Sequence, residues 1–501
     1  MKANLRALLL FPFGAMLLVG LIPYREFVSF TYIFEEVDLY RATALYLVGA
    51  ILLYLLLRQF LPRTGSTEVA MALLAAAALV PYQPLLAGLV LAILLVARLI
   101  DRARSTAIAT AVTNAVALAV VVPAAMQAHA FVGAVFPPAA AEVEIPRASG
   151  FEPSALAETP SILHVVLDGY GDSDILAELY GHNNEAFETA LESRGFTVFE
   201  EAVSPYNQTL LVMPSIMQGD YAGPFDQGDL GDRTARRMLG AAVGGGPVID
   251  AFREAGHTIG FVSSDYPLVD FEDATRLSPP LPWKGVLETH VLRFWPGLVR
   301  SYHRELLEAA FDPGNAHRLE PPFFLYQHIL APHPPFSVAA DGSTRASLTR
   351  GLSDGSHFVR GQEDRRTAYK AGYVEKLNYV NAQLLNQIDA LPETPMIVIL
   401  HGDHGPGAYF DHEEAERSCL AERMRPFLAV RSDLPGLQAR LSAATAAPFN
   451  LVNLYRLIWD EIGTEPVSLL ESRVSFARWS DISDLTPVSP RELGSCDGRL
   501  P

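Results

Sequence analysis

The sequence predicts an N-terminal bundle of about five transmembrane helices (1–128), a linker (129–160) and an α/β sandwich with a mostly parallel central sheet (161–501). Three observations carry that prediction. Half of the 501 residues are hydrophobic, yet almost all the long apolar runs fall before residue 130. Beyond that point, short apolar runs rich in Val and Ile alternate with helix-like stretches, the pattern of buried strands joined by helical crossovers. Charge is divided in the same way. Residues 1–150 hold ten Lys or Arg and eight Asp or Glu, which leaves 28 basic and 48 acidic residues, a net charge near −20, for the remainder. So acidic a surface argues against nucleic acid as a partner, because a phosphate backbone requires neutralising cations.

Five apolar stretches, 8–22, 42–57, 69–80, 85–100 and 108–128, make the predicted bundle. A spanning helix needs about 20 residues, and flanking aromatic and small residues extend the shorter stretches. Pro81, Tyr82, Gln83 and Pro84 separate the third from the fourth, which reads as a tight turn between hairpinned helices. Lys2 and Arg6, then Arg58 and Arg63, then Arg98, Arg102 and Arg104 flank the spans on one side, whereas the intervening loop carries Glu26, Glu35, Glu36 and Asp38. The positive-inside rule places the three basic clusters in the cytoplasm. Five spans then deliver the second half of the chain to the outer face of a bacterial-type plasma membrane. A cleaved signal peptide is the alternative for 8–22. No ionisable residue lies deep in a span, which weakens a transporter reading. The following 129–160 contain Pro137, Pro138, Pro146, Pro153 and Pro160, composition suited to a semi-extended linker.

In the second half, strands are expected at 161–167, 196–199, 258–263, 323–329, 395–400 and 426–431. Helices are expected at 184–193, 248–255 and 365–391. The first strand ends in Asp168-Gly169-Tyr170-Gly171 and the fifth in His401-Gly402-Asp403-His404-Gly405. Ligands of open α/β sheets bind beyond the carboxyl ends of the strands, so these two loops are candidates to meet. Two carboxylates and an imidazole suit a divalent cation such as zinc, manganese or magnesium. Asp-Gly after a strand also serves simply as a turn. Gly402 and Gly405 are expected to permit backbone geometries that turn the intervening side chains inward.

Two further segments bear chemistry. In 204–215, polar residues give way to a short apolar helix with Thr209 at the junction. That hydroxyl fits either a helix cap or a nucleophile beside a metal, with helix amides favouring an anionic phosphoryl group. In His328-Ile329-Leu330-Ala331-Pro332-His333-Pro334-Pro335-Phe336, a proline-stiffened loop presents His333, suited to contacting substrate oxygens or protonating a leaving group. A structural histidine is the alternative for both His328 and His333. Cys419 and Cys496 are the two cysteines, and the sequence leaves open whether they pair.

Taken together and in this order, Asp168, Thr209, the His328–His333 segment and Asp403-His404-Gly405 resemble the sulfatase and alkaline-phosphatase superfamily. More narrowly, the chain resembles its membrane-anchored branch of lipoteichoic acid synthases and phosphoethanolamine transferases. The resemblance covers about 160–440 and, in general form, the anchor. It implies that Asp168, Thr209, Asp403 and His404 hold one divalent metal (Mn, Zn or Mg), with room for a second. It further implies that Thr209 is the nucleophile, that His333 approaches the substrate phosphate, and that His328 and His401 lie behind the ligands. Asp265, Asp411 and His412 remain unassigned.

The departures from the family pattern bear on substrate. Sulfatases use a cysteine within Cys-x-Pro-x-Arg, and the matching position here is Thr209. Asp168-Gly169 replaces the paired aspartates of sulfatases and the glutamate of the anchored synthases. The resemblance therefore implies an extracytoplasmic phosphotransferase acting on phosphodiesters through a phosphothreonine. A membrane lipid would donate a head group to an envelope glycan or lipid acceptor. The alternatives are a sulfatase-like or phosphatase-type hydrolase of phosphate or sulfate esters, and a non-catalytic membrane binding protein.

Overall fold

The computed structural model describes residues 151–221, 232–264, 266, 271, 273–278, 296–345, 356–494 and 496, with 48, 49, 51, 52, 55, 56 and 59. Apart from 48, 49, 51, 52, 55 and 56 of the second, the five expected spans lie outside the described residues, as do most of the linker and Asp265. Among those described, no helix is long and apolar enough to cross a membrane. By internal contacts the chain divides into one unit of 1–142 with 282–291 and another of 143–281 with 292–501. The second holds the fold that positions the site.

Its strands are β1 (Ser161–Leu167), β2 (Thr197–Val198), β3 (Ala202–Val203), β4 (Thr258–Val262), β5 (Thr275–Arg276), β6 (Phe323–Ile329), β7 (Met396–His401), β8 (Leu428–Ser432), β9 (Phe449–Asn450), β10 (Ser475–Ala477) and β11 (Leu485–Pro487). The helices that position the site are α1 (Ser173–Tyr180), α2 (Glu185–Glu192), α3 (Thr209–Gln218), α4 (Pro247–Glu254), α5 (Glu363–Asp389), α6 (Leu420–Met424) and α7 (Leu454–Ile462).

A seven-stranded sheet runs in the order β2-β8-β7-β1-β6-β4-β5. β1, β6 and β7 are buried along their whole lengths, as their largely apolar runs require of strands covered on both faces. β7, β1, β6, β4 and β5 are parallel, but β8 runs antiparallel to both β7 and β2. The sheet is thus only partly parallel, which corrects the mostly parallel sheet expected. The physical reason is the connection. The chain returns from β7 through the short α6 and needs no helical crossover to lay down an antiparallel neighbour.

The 27-residue α5 crosses one face of this sheet. Tyr369, Tyr373, Leu377, Val380, Leu384 and Ile388 recur at three- and four-residue spacing on its buried side. Gly372 lies on that side too. A Cβ there would approach the Phe336 ring to 2.6 Å, so the missing side chain is what lets the proline loop dock on the helix.

Cys419 and Cys496 form a disulfide that closes a separation of 77 residues, and both are buried. Chain-entropy reasoning assigns a loop of that size about 4 kcal/mol of stability. Reduction should therefore lower the urea midpoint of the folded domain markedly. The change can be followed by fluorescence, since Trp283, Trp295, Trp459 and Trp479 are all in the second half of the chain. An unchanged midpoint after complete reduction would contradict this.

Candidate metal centre and nucleophile

β1 and β7 are parallel neighbours, with Val166 opposite His401. Their carboxyl ends therefore emerge side by side, and this register alone brings Asp168 next to Asp403. Beyond β1 the chain turns at once through Gly169, whose φ of +76° lies in the left-handed region that a side chain disfavours. The turn is held from two directions. Gly169 N donates to Asp403 Oδ1 at 3.1 Å, and the Tyr373 hydroxyl donates to Gly169 O at 2.9 Å while accepting from Gly171 N at 3.2 Å.

The second loop is shaped differently from the expectation. Neither Gly402 nor Gly405 is among the described glycines with positive φ. What these positions require is close approach of backbone. A Cβ on Gly402 would lie 2.2 Å from Tyr170 O, and one on Gly405 would lie 1.9 Å from Glu422 O. Backbone packed on backbone fixes the direction in which Asp403 and His404 point. Glu422, fully buried in α6, braces the loop further: Tyr180 Oη and Ala408 N donate to its Oε1 at 2.6 and 3.0 Å, and Tyr409 N donates to its Oε2 at 2.8 Å. Burial pushes this carboxyl up to about 7 against those donors. Glu422→Gln must set an amide N–H against one of the two backbone N–H groups. It is expected to cost about 1–3 kcal/mol of stability in urea unfolding, and a neutral result would show that the brace is dispensable.

Asp168, Asp403 and His404 are all buried, and each offers a ligand atom such that the three lie within 4.8 Å of one another. His404 Nε2 is 3.3 Å from Asp403 Oδ2 and 3.9 Å from Asp168 Oδ1. Thr209 opens α3, and its hydroxyl lies 3.3 Å from the same His404 Nε2. His404 Nδ1 donates to Gly405 O at 2.9 Å. That bond fixes the tautomer and leaves Nε2 as the acceptor nitrogen on the cluster side, where it takes a hydrogen bond from Arg423 Nη2 at 3.0 Å that a bound cation would have to displace. Burial, and after it Arg423, hold the His404 imidazole down to about 3, so it is neutral. Burial pushes the Asp403 carboxyl up, but the polar groups around it, the Thr209 hydroxyl and the Gly169 amide among them, outweigh it and hold it below the usual carboxylate range.

The residues fit a divalent cation. Two carboxylates buried within a few ångströms of each other repel unless a cation lies between or beside them. Asp403 Oδ1 is taken up by the Gly169 and His404 amides, at 3.1 and 2.9 Å, whereas its Oδ2 accepts no hydrogen bond. Oxygen donors with one neutral imidazole suit manganese, zinc or magnesium.

His333 N donates to Asp168 O at 2.9 Å, which seats the proline loop beside the first carboxylate. His333 Nδ1 donates to Pro334 O at 2.6 Å, which leaves Nε2 as the outward nitrogen. His328 Nε2 is 3.8 Å from Asp168 Oδ2, and its Nδ1 meets Ser264 Oγ at 2.6 Å. His401 faces away from the carboxylates. Its Nε2 lies 2.8 Å from His164 Nε2, and Tyr455 Oη meets His164 Nδ1 at 2.8 Å. Asp411 pairs with Arg360, and the His412 ring packs edge-on against Phe410.

Two cations that sequence reasoning does not single out adjoin the cluster. Arg423 donates through Nη2 to His404 Nε2 at 3.0 Å, through Nε to Asn207 O at 2.9 Å and through Nη1 to Gly405 O at 3.3 Å. Lys376 is fully buried. Burial draws its ammonium down to about 7 while Asp168 acts in the opposite direction. Nothing in the local sequence marks either one, because their partners come from loops remote in the chain.

No family model matches the chain, and no curated protein matches it. Solved structures do. The C-terminal periplasmic domain of phosphoethanolamine transferase EptC from Escherichia coli matches at 12% identity over 69% of this chain and 98% of that one, with a TM-score of 0.42. A putative sulfatase from Bacteroides thetaiotaomicron matches at 12% identity over 64% and 78%, with a TM-score of 0.42. The integral membrane lipooligosaccharide phosphoethanolamine transferase A (EptA) from Neisseria meningitidis matches at 12% identity over 90% and 94%, with a TM-score of 0.34. The matched structures are thus two phosphoethanolamine transferases and a putative sulfatase. The likeness is one of fold, and the chemistry is argued from the side chains above.

Proposed function

We propose that this protein is a metal-dependent phosphotransferase acting on phosphodiesters, with Thr209 as the nucleophile. The observation that carries the reading is the Thr209 hydroxyl, placed 3.3 Å from His404 Nε2 at the edge of a buried Asp168, Asp403 and His404 cluster. Those four residues would hold one divalent ion. Such an ion, when bound, supplies Lewis acidity that favours the ionised hydroxyl and screens phosphoryl charge.

The chain's own groups do the rest. Thr209 is the first residue of a ten-residue helix, so the amides of that N-terminus favour an anionic group at the same place. Thr209 Oγ1 forms a bond to phosphorus. The proton that Thr209 gives up passes to His333 Nε2, and as the bond from phosphorus to the lipid oxygen breaks the resulting imidazolium would give it to that oxygen. An acceptor hydroxyl then displaces Thr209 from phosphorus, and a proton passes from the acceptor to Thr209 Oγ1. Threonine where a sulfatase has its cysteine favours phosphoryl over sulfuryl chemistry. In this reading the donor is a membrane lipid head group, such as that of phosphatidylethanolamine or phosphatidylglycerol, and the acceptor is an envelope glycan or lipid. The apolar N-terminal stretches and their flanking charges support a multi-pass anchor with the domain on the outer side of a plasma membrane. The Cys419–Cys496 disulfide supports an oxidising compartment.

The test is the intact mass of the full chain in detergent with Mn or Zn, after incubation with phosphatidylethanolamine or phosphatidylglycerol. A head-group phosphoryl adduct mapped to Thr209 is expected. Head-group release with Thr209 never modified would remove the covalent mechanism. Release at an equal rate with and without acceptor would favour the hydrolase.

A further inference from the structure

The His333 loop has an unusual hydrogen-bonding problem. Pro332, Pro334 and Pro335 bring no N–H groups, so the loop has few donors of its own. His333 Nδ1 serves Pro334 O and Ser337 N serves Pro335 O, at 2.6 and 2.9 Å, but Leu330 O and His333 O need donors from elsewhere. Lys376, reaching in from α5, provides them. Its Nζ donates to Leu330 O at 2.6 Å and His333 O at 2.6 Å, with Pro335 O at 3.4 Å. An ammonium has three protons and no acceptor, and three carbonyls surround this one.

Three residues earlier, on the same face of α5, Tyr373 bonds Gly169 O and Gly171 N in the turn that follows Asp168. One turn of one helix therefore grips both loops. Their direct link, His333 N to Asp168 O at 2.9 Å, lies between the two grips. Phe336 on Gly372 closes the far end of the loop onto the same helix.

We infer that Lys376 is a positioning residue: its ammonium, threaded among the carbonyls of 330–335, holds the His333 imidazole in register with the Asp168 turn for phosphoryl transfer. The inference rests on the function proposed above and assigns Lys376 no contact with substrate. Helix and sheet fix α5, and so they fix the loop through Lys376, which is how a segment without regular structure acquires a defined place.

The experiment uses the full chain in detergent with Mn, and bis(4-nitrophenyl) phosphate as the probe diester. Lys376→Met keeps length and apolar bulk but removes all three donors. It is expected to lower kcat about 10- to 100-fold, the scale on which small misplacements of a reacting group act, with bound metal unchanged. In a His333→Ala background the same substitution should cost less than about threefold, because the group it positions is gone. Hydrogen exchange of the peptide spanning 330–337 should accelerate at least about tenfold in Lys376→Met, with peptides of β1 and β7 unaffected. If Lys376→Met does not fold, Lys376→Gln, which retains two amide protons, should show the same pattern at smaller amplitude. Unaltered exchange in 330–337, or a kcat loss that persists in full without His333, overturns the inference. Absence of turnover by the wild type counts against the proposed function, while the exchange measurement still decides whether Lys376 holds the loop.

Discussion

Thr209→Ala is expected to reduce kcat/KM for phosphodiester cleavage by at least about 1000-fold, the scale of losing a covalent nucleophile. It should also abolish the mass adduct. The fold should tolerate the change. Thr209 occupies the first position of α3, where its hydroxyl caps nothing: the residue at the N-cap is Gln208, whose side chain makes no capping bond. The substitution removes the hydroxyl's interactions with His404 Nε2, at 3.3 Å, and with the Asp403 carboxyl, together worth about 1–2 kcal/mol. The effect on rate therefore separates from the effect on stability. Thr209→Ser, which retains the oxygen but frees its rotamer, should recover part of the activity and form the adduct. If Thr209→Ala keeps a tenth of wild-type activity at an unchanged melting temperature, Thr209 is not the nucleophile and the cluster serves another reaction.

The sequence makes the centre of this fold readable and leaves its periphery obscure, for reasons visible in particular elements. β1 and β6 match the expected 161–167 and 323–329 because a strand buried on both faces is a largely apolar run with sharp polar ends. The direction of β8 is not readable, since an apolar run reads alike in either sense. α7 does not read as a helix. Arg456 and Asp460 do stand four apart, but seven of its nine residues are buried, so its polar stripe is short. At the site, strand ends mark Asp168 and Asp403-His404, and a helix start marks Thr209. The juxtaposition follows from sheet order, which puts β7 beside β1. Lys376 and Arg423 are illegible for a different cause. A buried cation in a helix looks, in sequence, like any solvated one, and only the carbonyls it meets in space distinguish it.

The second large effect concerns Asp403, where Asp403→Asn should remove divalent-metal binding without unfolding the domain. Asparagine can retain the carbonyl at the Oδ1 position and go on accepting from Gly169 N and His404 N, at 3.1 and 2.9 Å in the wild type. Its amide nitrogen would then stand where Oδ2 now lies, 3.3 Å from His404 Nε2. There it would add a second donor to a nitrogen that already accepts from Arg423 Nη2. One substitution thus removes a charged ligand and further occupies a neutral one, while leaving both backbone bonds intact. Because the surroundings of Asp403 favour its ionised carboxyl, the metal-free variant should be folded but somewhat less stable than metal-free wild type. The contrast appears on adding Mn or Zn. Wild type should rise in melting temperature as metal accumulates above its dissociation constant, about 2.7 kcal/mol at a hundredfold excess over that constant. Asp403→Asn should stay flat over the same titration, with affinity lower by more than about 100-fold, beyond the loss typical of residues behind the ligands. Its turnover should fall with its metal content. A variant that binds metal like wild type would show that Asp403 is a structural clamp on the Gly169 turn, and the cation would have to be held by other atoms.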